Sequence, residues 1–115
     1  MSEQTTPSIS DDPLYQLLRE GRIDEFNQQK AEGATINLSG VDLRGIDLKG
    51  LDAAGIDFRN TYFRQADLRG IDFSQCRLEG ASIHAAKISG CLFPPELAAE
   101  EIVLSLEHGT RMRYR

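Results

Sequence analysis

The chain has 115 residues, of which 40% are hydrophobic and 27% charged, a composition that indicates one globular domain. No apolar run reaches the length of about 18 residues that a membrane-spanning helix needs, and two cysteines are too few for a disulfide framework or a zinc site. The formal net charge of −5 is modest, so it does not by itself predict a strongly charged partner.

The chain begins with a polar segment, residues 1–11, that contains no apolar core. Such a segment does not have the pattern of a secretory signal, and it predicts a short disordered leader. Because the sequence also lacks a membrane segment, we expect a cytoplasmic protein.

Residues 12–35 predict a pair of short helices. The first begins at Asp12 as N-cap with Pro13 at the first helical position, and it ends before Gly21. The second ends before Gly33. We expect this pair to cover the first part of the repeats that follow. The apolar residues predicted to face inward are Leu14, Leu17, Leu18, Ile23 and Phe26.

Residues 36–95 repeat every five residues, in twelve consecutive units that begin INLSG, VDLRG and IDLKG. The third position is apolar and the first is apolar or small in all twelve units, the second is Asp in six, and the fifth is Gly in seven. Neither a helix nor a flat strand keeps the third position on one face. A chain that turns once per unit does, with positions one and three inside and the fifth at the corner.

These units, of the type A-[DN]-L-x-x, resemble the pentapeptide-repeat family over residues 36–95. The resemblance implies a β-solenoid, a right-handed quadrilateral parallel β-helix with four units per coil; the repeat geometry alone leaves three units per coil open. Twelve units then give about three coils, 36–55, 56–75 and 76–95. Positions twenty apart should stack, in the columns Leu38–Phe58–Leu78, Leu43–Phe63–Ile83, Leu48–Leu68–Ile88 and Ala53–Phe73–Phe93. The family favours Ala at position one, so the bulky residues of the first coil predict a wider or slightly distorted coil: Ile36, Val41, Ile46 and Leu51.

After Pro94–Pro95, residues 96–109 predict a third helix that ends at Gly109. Its predicted inward face contains Ala99, Ile102, Val103 and Leu106, while Leu104 lies off that face near Leu97. A helix that is apolar on two sides can cover the last coil and also contact a second subunit. The resemblance points the same way, since members of the family often dimerise through this end. The candidate dimer contacts are Leu97, Leu104 and Leu106.

The last residues, 110–115, alternate arginine with apolar side chains. In an extended tail this alternation would place Met112 and Tyr114 on a sheet edge or in a groove of a partner and would present the arginines. A frayed terminus is the alternative.

The outward faces of the predicted solenoid differ in charge. The basic face, built from units 41–45, 61–65 and 81–85, carries most of the candidate partner-binding residues, and the tail carries the others. The second candidate face, built from 51–55, 71–75 and 91–95, has no basic group and becomes apolar near its end. Ordinary solvated walls are the alternative. The candidate partner-binding residues are Arg44, Tyr62, Arg64, His84, Arg111, Arg113, Tyr114 and Arg115.

The sequence contains no recognisable catalytic constellation, so we expect neither an enzyme nor a cofactor or metal site. The aspartates at position two are predicted to form a solvated charge ladder with the arginines at position four. His84 and His108 have no ligand partners nearby in the sequence, and Cys76 and Cys91 occupy inward positions.

A non-enzymatic protein–protein interaction module is therefore the favoured function. The resemblance suggests one alternative, a DNA mimic that modulates DNA gyrase or topoisomerase. DNA carries one charge per ~1.7 Å, whereas the repeats contain seven acidic and seven basic residues and sum to zero. A further alternative is nucleic-acid or ribonucleoprotein binding through the arginine tail, which the acidic net charge disfavours.

Overall fold

The computed structural model describes residues 12–115. The predicted leader, residues 1–11, lies outside the described residues. Two helices precede the repeats, α1 (Pro13–Arg19) and α2 (Ile23–Ala31), and one follows them, α3 (Ala99–His108). In this part of the chain no helix is both long enough and apolar enough to cross a bilayer.

The repeats are held together by single-residue bridges rather than by continuous strands. Seven parallel bridges occur among the described residues, and each joins positions twenty apart, such as Asp42 to Tyr62 and Tyr62 to Ser82. Twenty residues correspond to four five-residue units. The extended part of each unit is short because the chain turns at positions four and five, so no longer strand forms within residues 12–115.

The corners lie at position five, where the backbone enters the left-handed region in ten of the twelve units. Glycine occupies most corners, but Asn60, Gln65 and Ala85 adopt the same conformation with φ between 58° and 62°. Residues other than glycine are strained in this conformation, although Asn and Asp tolerate it better than the rest. The preference for glycine at position five therefore follows from the corner.

The third positions line the core. Every third-position side chain from Leu38 to Ile83 is at most 2% exposed, while Ile88 and Phe93, in the predicted last coil (residues 76–95), are half-buried. Phe73 stacks on Phe93 with ring centroids 6.0 Å apart, in the predicted column. Three rings also meet edge to face across columns at 5.3 to 6.0 Å: Phe58, Phe63 and Phe73.

Position two has a structural role that the predicted charge ladder did not include. In seven units the side-chain Oδ1 of Asp or Asn accepts the backbone N–H of position four, at 2.8 to 3.3 Å. This Asx turn leads the chain into the corner. Three of these carboxylates are less solvated than predicted, since the side chains of Asp42, Asp57 and Asp67 are 8%, 21% and 15% exposed. The same carboxylates pair with the arginine two residues later in Asp42–Arg44, Asp57–Arg59 and Asp67–Arg69.

Two substitutions of Asp57 separate the turn from the ion pair. Asp57→Ala removes both and is expected to lower the free energy of unfolding by about 1–2 kcal/mol. Asp57→Asn keeps an acceptor for the N–H of Arg59, so more than half of the stabilisation that Asp57→Ala removes should remain. Urea denaturation of both variants measures the difference. Equal losses would show that the ion pair, rather than the turn, stabilises this corner.

The paired carboxylates also predict the response to acid. Hydrogen bonds from the neighbouring arginines lower the pKa of Asp42, Asp57 and Asp67 below the usual range. The folded protein therefore binds fewer protons than the unfolded chain, so this stabilisation is present above the unfolded carboxyl pKa of about 3.9. It is lost as the pH falls through the lower folded values. The urea concentration at half-unfolding should decrease as the pH is lowered below about 4. It should decrease less steeply after replacement of the three aspartates by Asn.

The N-terminal helices pack on the first coil. Both end before the predicted glycines, and Oδ1 of Asp12 caps α1 by accepting the N–H of Leu14 at 2.8 Å. Tyr15 is fully buried and donates its hydroxyl to the carbonyl of Asp42 at 2.6 Å. The carboxamide of Asn27 binds both the carbonyl of Gly50 and the N–H of Asp52, each at 2.9 Å.

The third helix is shorter than predicted, and only part of its predicted inward face contacts the core, through Ile102 and Leu106. It spans Ala99–His108, and Ala99 and Val103, both predicted to face inward, are exposed. Ser105 is fully buried instead, and its Oγ accepts the N–H of Ile83 at 3.0 Å. The prediction counted only apolar residues. It was wrong for Ala99 and Val103, and it missed Ser105 because the backbone N–H of Ile83 requires a polar partner.

Candidate functional site

The C-terminal tail attaches to the edge of the last coil. The N–H of Met112 donates to the carbonyl of Ala81 at 2.9 Å, and its carbonyl accepts the N–H of Gly80 at 2.7 Å. The Met112 side chain is fully buried, and the hydroxyl of Tyr114 accepts the N–H of Leu78 at 2.8 Å. The sequence allowed the tail to lie on a sheet edge or in a groove of a partner. In the structure it lies on an edge of its own chain.

The tail arginines are held on different parts of the surface. The guanidinium of Arg111 lies over the ring of Tyr62, 5.9 Å from its centroid, and also donates to the carbonyl of Gly80. Arg113 pairs with Glu101 at 3.0 Å, and Arg115 donates to the carbonyl of Pro95. Only Arg111 therefore joins the predicted basic face.

On the basic face, Arg44 and Arg64 line one groove together with Arg19 from α1. The groove has a cavity volume of about 490 Å³, and we call it the arginine groove, after Arg19, Arg44 and Arg64. The bridge between Asp42 and Tyr62 sets the unit of Arg44 beside that of Arg64. Sequence reasoning missed Arg19, because nothing in the local pattern of α1 indicates which coil residue the helix approaches.

The three arginines of the groove differ in how they are held. Arg44 makes two side-chain hydrogen bonds to the carboxylate of Asp42, at 2.8 and 2.7 Å. Arg19 reaches the hydroxyl of Tyr15 at 3.5 Å. The exposed guanidinium of Arg64 has no hydrogen-bond or ion-pair partner among the described residues. With Asp42 held ionised by its lowered pKa, the groove carries three positive charges and one negative charge.

His84, predicted to face outward, is half-buried. Its ring packs against Gly109 at the end of α3, and its buried Nδ1 has no hydrogen-bond partner within residues 12–115. His84 therefore does not present its ring beside Arg44 and Arg64, because the end of α3 covers it.

The three predicted dimer contacts do not form one exposed surface. Leu97 is 5% exposed and belongs to the core of the chain, and Leu106 is half-buried against that core. Leu104 is 39% exposed, and its neighbour Val103 is 50% exposed. The exposed apolar strip therefore consists of Val103 and Leu104, because the inward side of α3 contacts the last coil through Ile102 and Leu106.

The thiols are not poised for nucleophilic chemistry. Burial raises the pKa of Cys76 to about 12 and also raises the pKa of Cys91. Both thiols donate to backbone carbonyls, that of Cys76 to Phe73 and that of Cys91 to Leu68. In the described part of the chain, no three His, Cys, Asp or Glu side chains lie close enough to hold a metal ion.

Comparison with known proteins supports an assignment for the repeats. The family model for pentapeptide repeats matches eight copies, over residues 36–75 and 56–93. No curated protein and no solved structure matches the chain. The matched ranges together cover half of the sequence and coincide with the five-residue units that carry the bridges and the core. The chain belongs to the pentapeptide-repeat family.

Proposed function

We propose that this chain is a non-enzymatic protein–protein interaction module, and that an acidic segment of a partner protein binds in its arginine groove. The scaffold in this proposal is a right-handed quadrilateral β-helix of about three coils, with a helix pair at one end and a helix at the other. Such a scaffold holds surface side chains at fixed spacing, so little conformational entropy is lost when a partner binds.

The unpaired guanidinium of Arg64 is the observation that carries the proposal. Arg44 is already bound to Asp42 and Arg19 reaches Tyr15, so Arg64 is the groove arginine whose guanidinium has no partner among the described residues. A carboxylate entering the groove would accept two of the five N–H donors of Arg64 in a bidentate pair. Arg19 and Arg44 would add long-range attraction, which speeds association and weakens as salt increases.

The neighbouring aromatic residue extends the proposed surface. Parallel bridges place Tyr62 between Asp42 and Ser82, and the guanidinium of Arg111 covers its ring. Tyrosine and arginine are enriched among the residues that dominate binding energy at protein interfaces. The residues next to Tyr62 in the chain form backbone hydrogen bonds between coils, and Met112, next to Arg111, forms them with the last coil. Tyr62 and Arg111 therefore need little reorganisation when a partner binds.

The test compares two charge reversals on different faces. Affinity capture from a native cell extract would use the full chain, Arg64→Glu and the control Arg77→Glu, which changes the same charge on a neighbouring face. We expect wild type and Arg77→Glu to retain the same partner and Arg64→Glu to lose it, with retention falling as salt rises. Equal retention by both variants, or a captured species that is nucleic acid, would refute the proposal.

The charges of the repeats count against the DNA-mimic alternative. Such a mimic needs unpaired negative charges at a density near one per ~1.7 Å. Here Asp42, Asp57 and Asp67 each form an ion pair with an arginine of their own unit. We therefore expect no inhibition of gyrase supercoiling by the purified chain.

We further propose a homodimer through α3, because Val103 and Leu104 form an exposed apolar strip. The strip is small, so the dimer should dissociate readily at low concentration. Sedimentation of wild type against Leu104→Asp tests it. We expect a concentration-dependent dimer that the substitution abolishes, and a wild-type chain that stays monomeric would reject this strip as an interface.

A further inference from the structure

The last coil ends the ladder of backbone hydrogen bonds. In the earlier coils, the N–H groups of positions three and five mostly donate to carbonyls of the following coil, as Phe63 does to Ser82 at 2.8 Å and Gln65 to His84 at 2.9 Å. Residues 76–95 have no following coil. Their corresponding N–H groups need other acceptors or remain open to solvent.

Two of the four sides of this coil find acceptors in the C-terminal segment. On side 76–80, Leu78 donates to the hydroxyl of Tyr114 and Gly80 to the carbonyl of Met112. On side 81–85, the acceptors come from α3: Ser105 for Ile83 and Leu106 for Ala85.

The other two sides have no such acceptors. The N–H groups of Ile88, Gly90 and Phe93 donate to nothing within residues 12–115. The side chains of Ile88 and Phe93 are half-buried, and Leu92 is 57% exposed. This part of the coil is an open β-edge beside apolar surface, and we call residues 88–93 the open edge.

The open edge contains a second copy of the corner that holds the tail. At the first corner, the N–H of Gly80 and the carbonyl of Ala81 bind the carbonyl and the N–H of Met112. Two units later, Gly90 and Cys91 occupy the same positions of the repeat, and Gly90 has the same left-handed conformation, with φ 75° against 81° at Gly80. The N–H of Gly90 and the carbonyl of Cys91 have no partner among the described residues.

We propose that the Gly90–Cys91 corner binds an extended segment of a partner protein by β-strand addition. One partner residue would accept the N–H of Gly90 through its carbonyl and donate its own N–H to the carbonyl of Cys91. Its side chain would be long and apolar, because it would lie beside the half-buried Ile88 and Phe93, as the fully buried side chain of Met112 lies at the equivalent corner. Main-chain bonds would supply affinity and this side chain would supply specificity.

The geometry of the tail identifies this occupant. Met112 is fully buried at the first corner although residues on both sides of it are exposed, so a single apolar anchor in an extended segment suffices there. The corner turns the edge, which favours a flexible peptide over a second flat edge. This surface is separate from the arginine groove, so the proposal stands independently of the proposed function.

The test supplies a peptide of this kind to the full chain, whose own tail occupies the first corner. The probe is the synthetic heptapeptide Gly-Thr-Arg-Met-Arg-Tyr-Arg, identical to residues 109–115. Amide NMR signals are followed up to about 2 mM peptide, since a single anchored residue corresponds to affinity in the millimolar range. We expect saturable shifts at Ile88, Gly90 and Phe93, and amide exchange of Gly90 slowed about threefold, as a ligand at about twice a Kd of ~1 mM produces.

Two control peptides test the contacts without altering the protein. N-methylation of the peptide methionine removes the donor to Cys91, and replacement of that methionine by Asp removes the apolar anchor. Both should abolish the shifts. The proposal is overturned if no shift occurs, if shifts are confined to Gly80 and Ala81, or if the N-methylated peptide binds equally well. Shifts at Gly90 that depend on protein concentration without peptide would assign the edge to a second copy and would also overturn it.

Discussion

Phe63→Ala is expected to lower the free energy of unfolding by about 3–5 kcal/mol. The ring of Phe63 is fully buried and meets those of Phe58 and Phe73 edge to face, with centroids 5.3 and 6.0 Å away. Its removal loses the burial of the ring, leaves a cavity and breaks two aromatic contacts. A small domain is stable by about 5–15 kcal/mol in total, so the variant should be close to unfolding.

Urea or thermal denaturation measures this loss, with Val103→Ala as the control. Val103 is half exposed on α3, so at concentrations low enough for the proposed dimer to dissociate, truncating it should change stability by less than about 0.5 kcal/mol. The central position of Phe63 is contradicted if its truncation costs no more than that of Val103.

Met112→Ala is expected to cost about 2–4 kcal/mol, an effect far larger than is usual three residues from a chain terminus. The Met112 side chain is fully buried, and its backbone closes two hydrogen bonds with the last coil. Truncation removes the side chain that anchors the tail. The edge at Gly80 and Ala81 should then open more often and exchange its amide protons faster.

Arg113→Ala is the matched control in the same tail. The side chain of Arg113 is 80% exposed and forms a surface ion pair with Glu101, so its loss should cost less than about 1 kcal/mol. Denaturation midpoints of the two variants decide between an anchored tail and a frayed one. Equal, small losses would mean that the tail is frayed in solution.

The repeats were predictable from sequence because one physical demand recurs twelve times. Each unit must bury its third residue and turn at its fifth, so the pattern alone placed side chains such as Leu43 and Phe63 in the core. The Asx turns were missed because the sequence pattern was interpreted only as charge pairing. Asn37, which has no charge, makes the same bond to the N–H of Ser39 at 2.9 Å.

The ends of the solenoid were less predictable because their contacts are specific to this chain. Tyr15 and Ser105 are buried polar residues whose partners, the carbonyl of Asp42 and the N–H of Ile83, lie far away in sequence. Hydrophobic periodicity cannot identify such partners. Two of the three groove arginines, Arg44 and Arg64, were predictable because they follow from the repeat. Arg19 was not, because its position depends on how α1 docks.

The spacing of twenty residues between neighbouring coils brings Arg44 and Arg64 together, and nuclear Overhauser effects between backbone protons test it most directly. The parallel bridges predict cross-peaks that connect Asp42 with Tyr62 and Tyr62 with Ser82. Cross-peaks between positions fifteen apart would instead indicate three units per coil, and helical contacts within 41–60 would rule out a solenoid. Either result would separate the arginines of the groove and contradict the account.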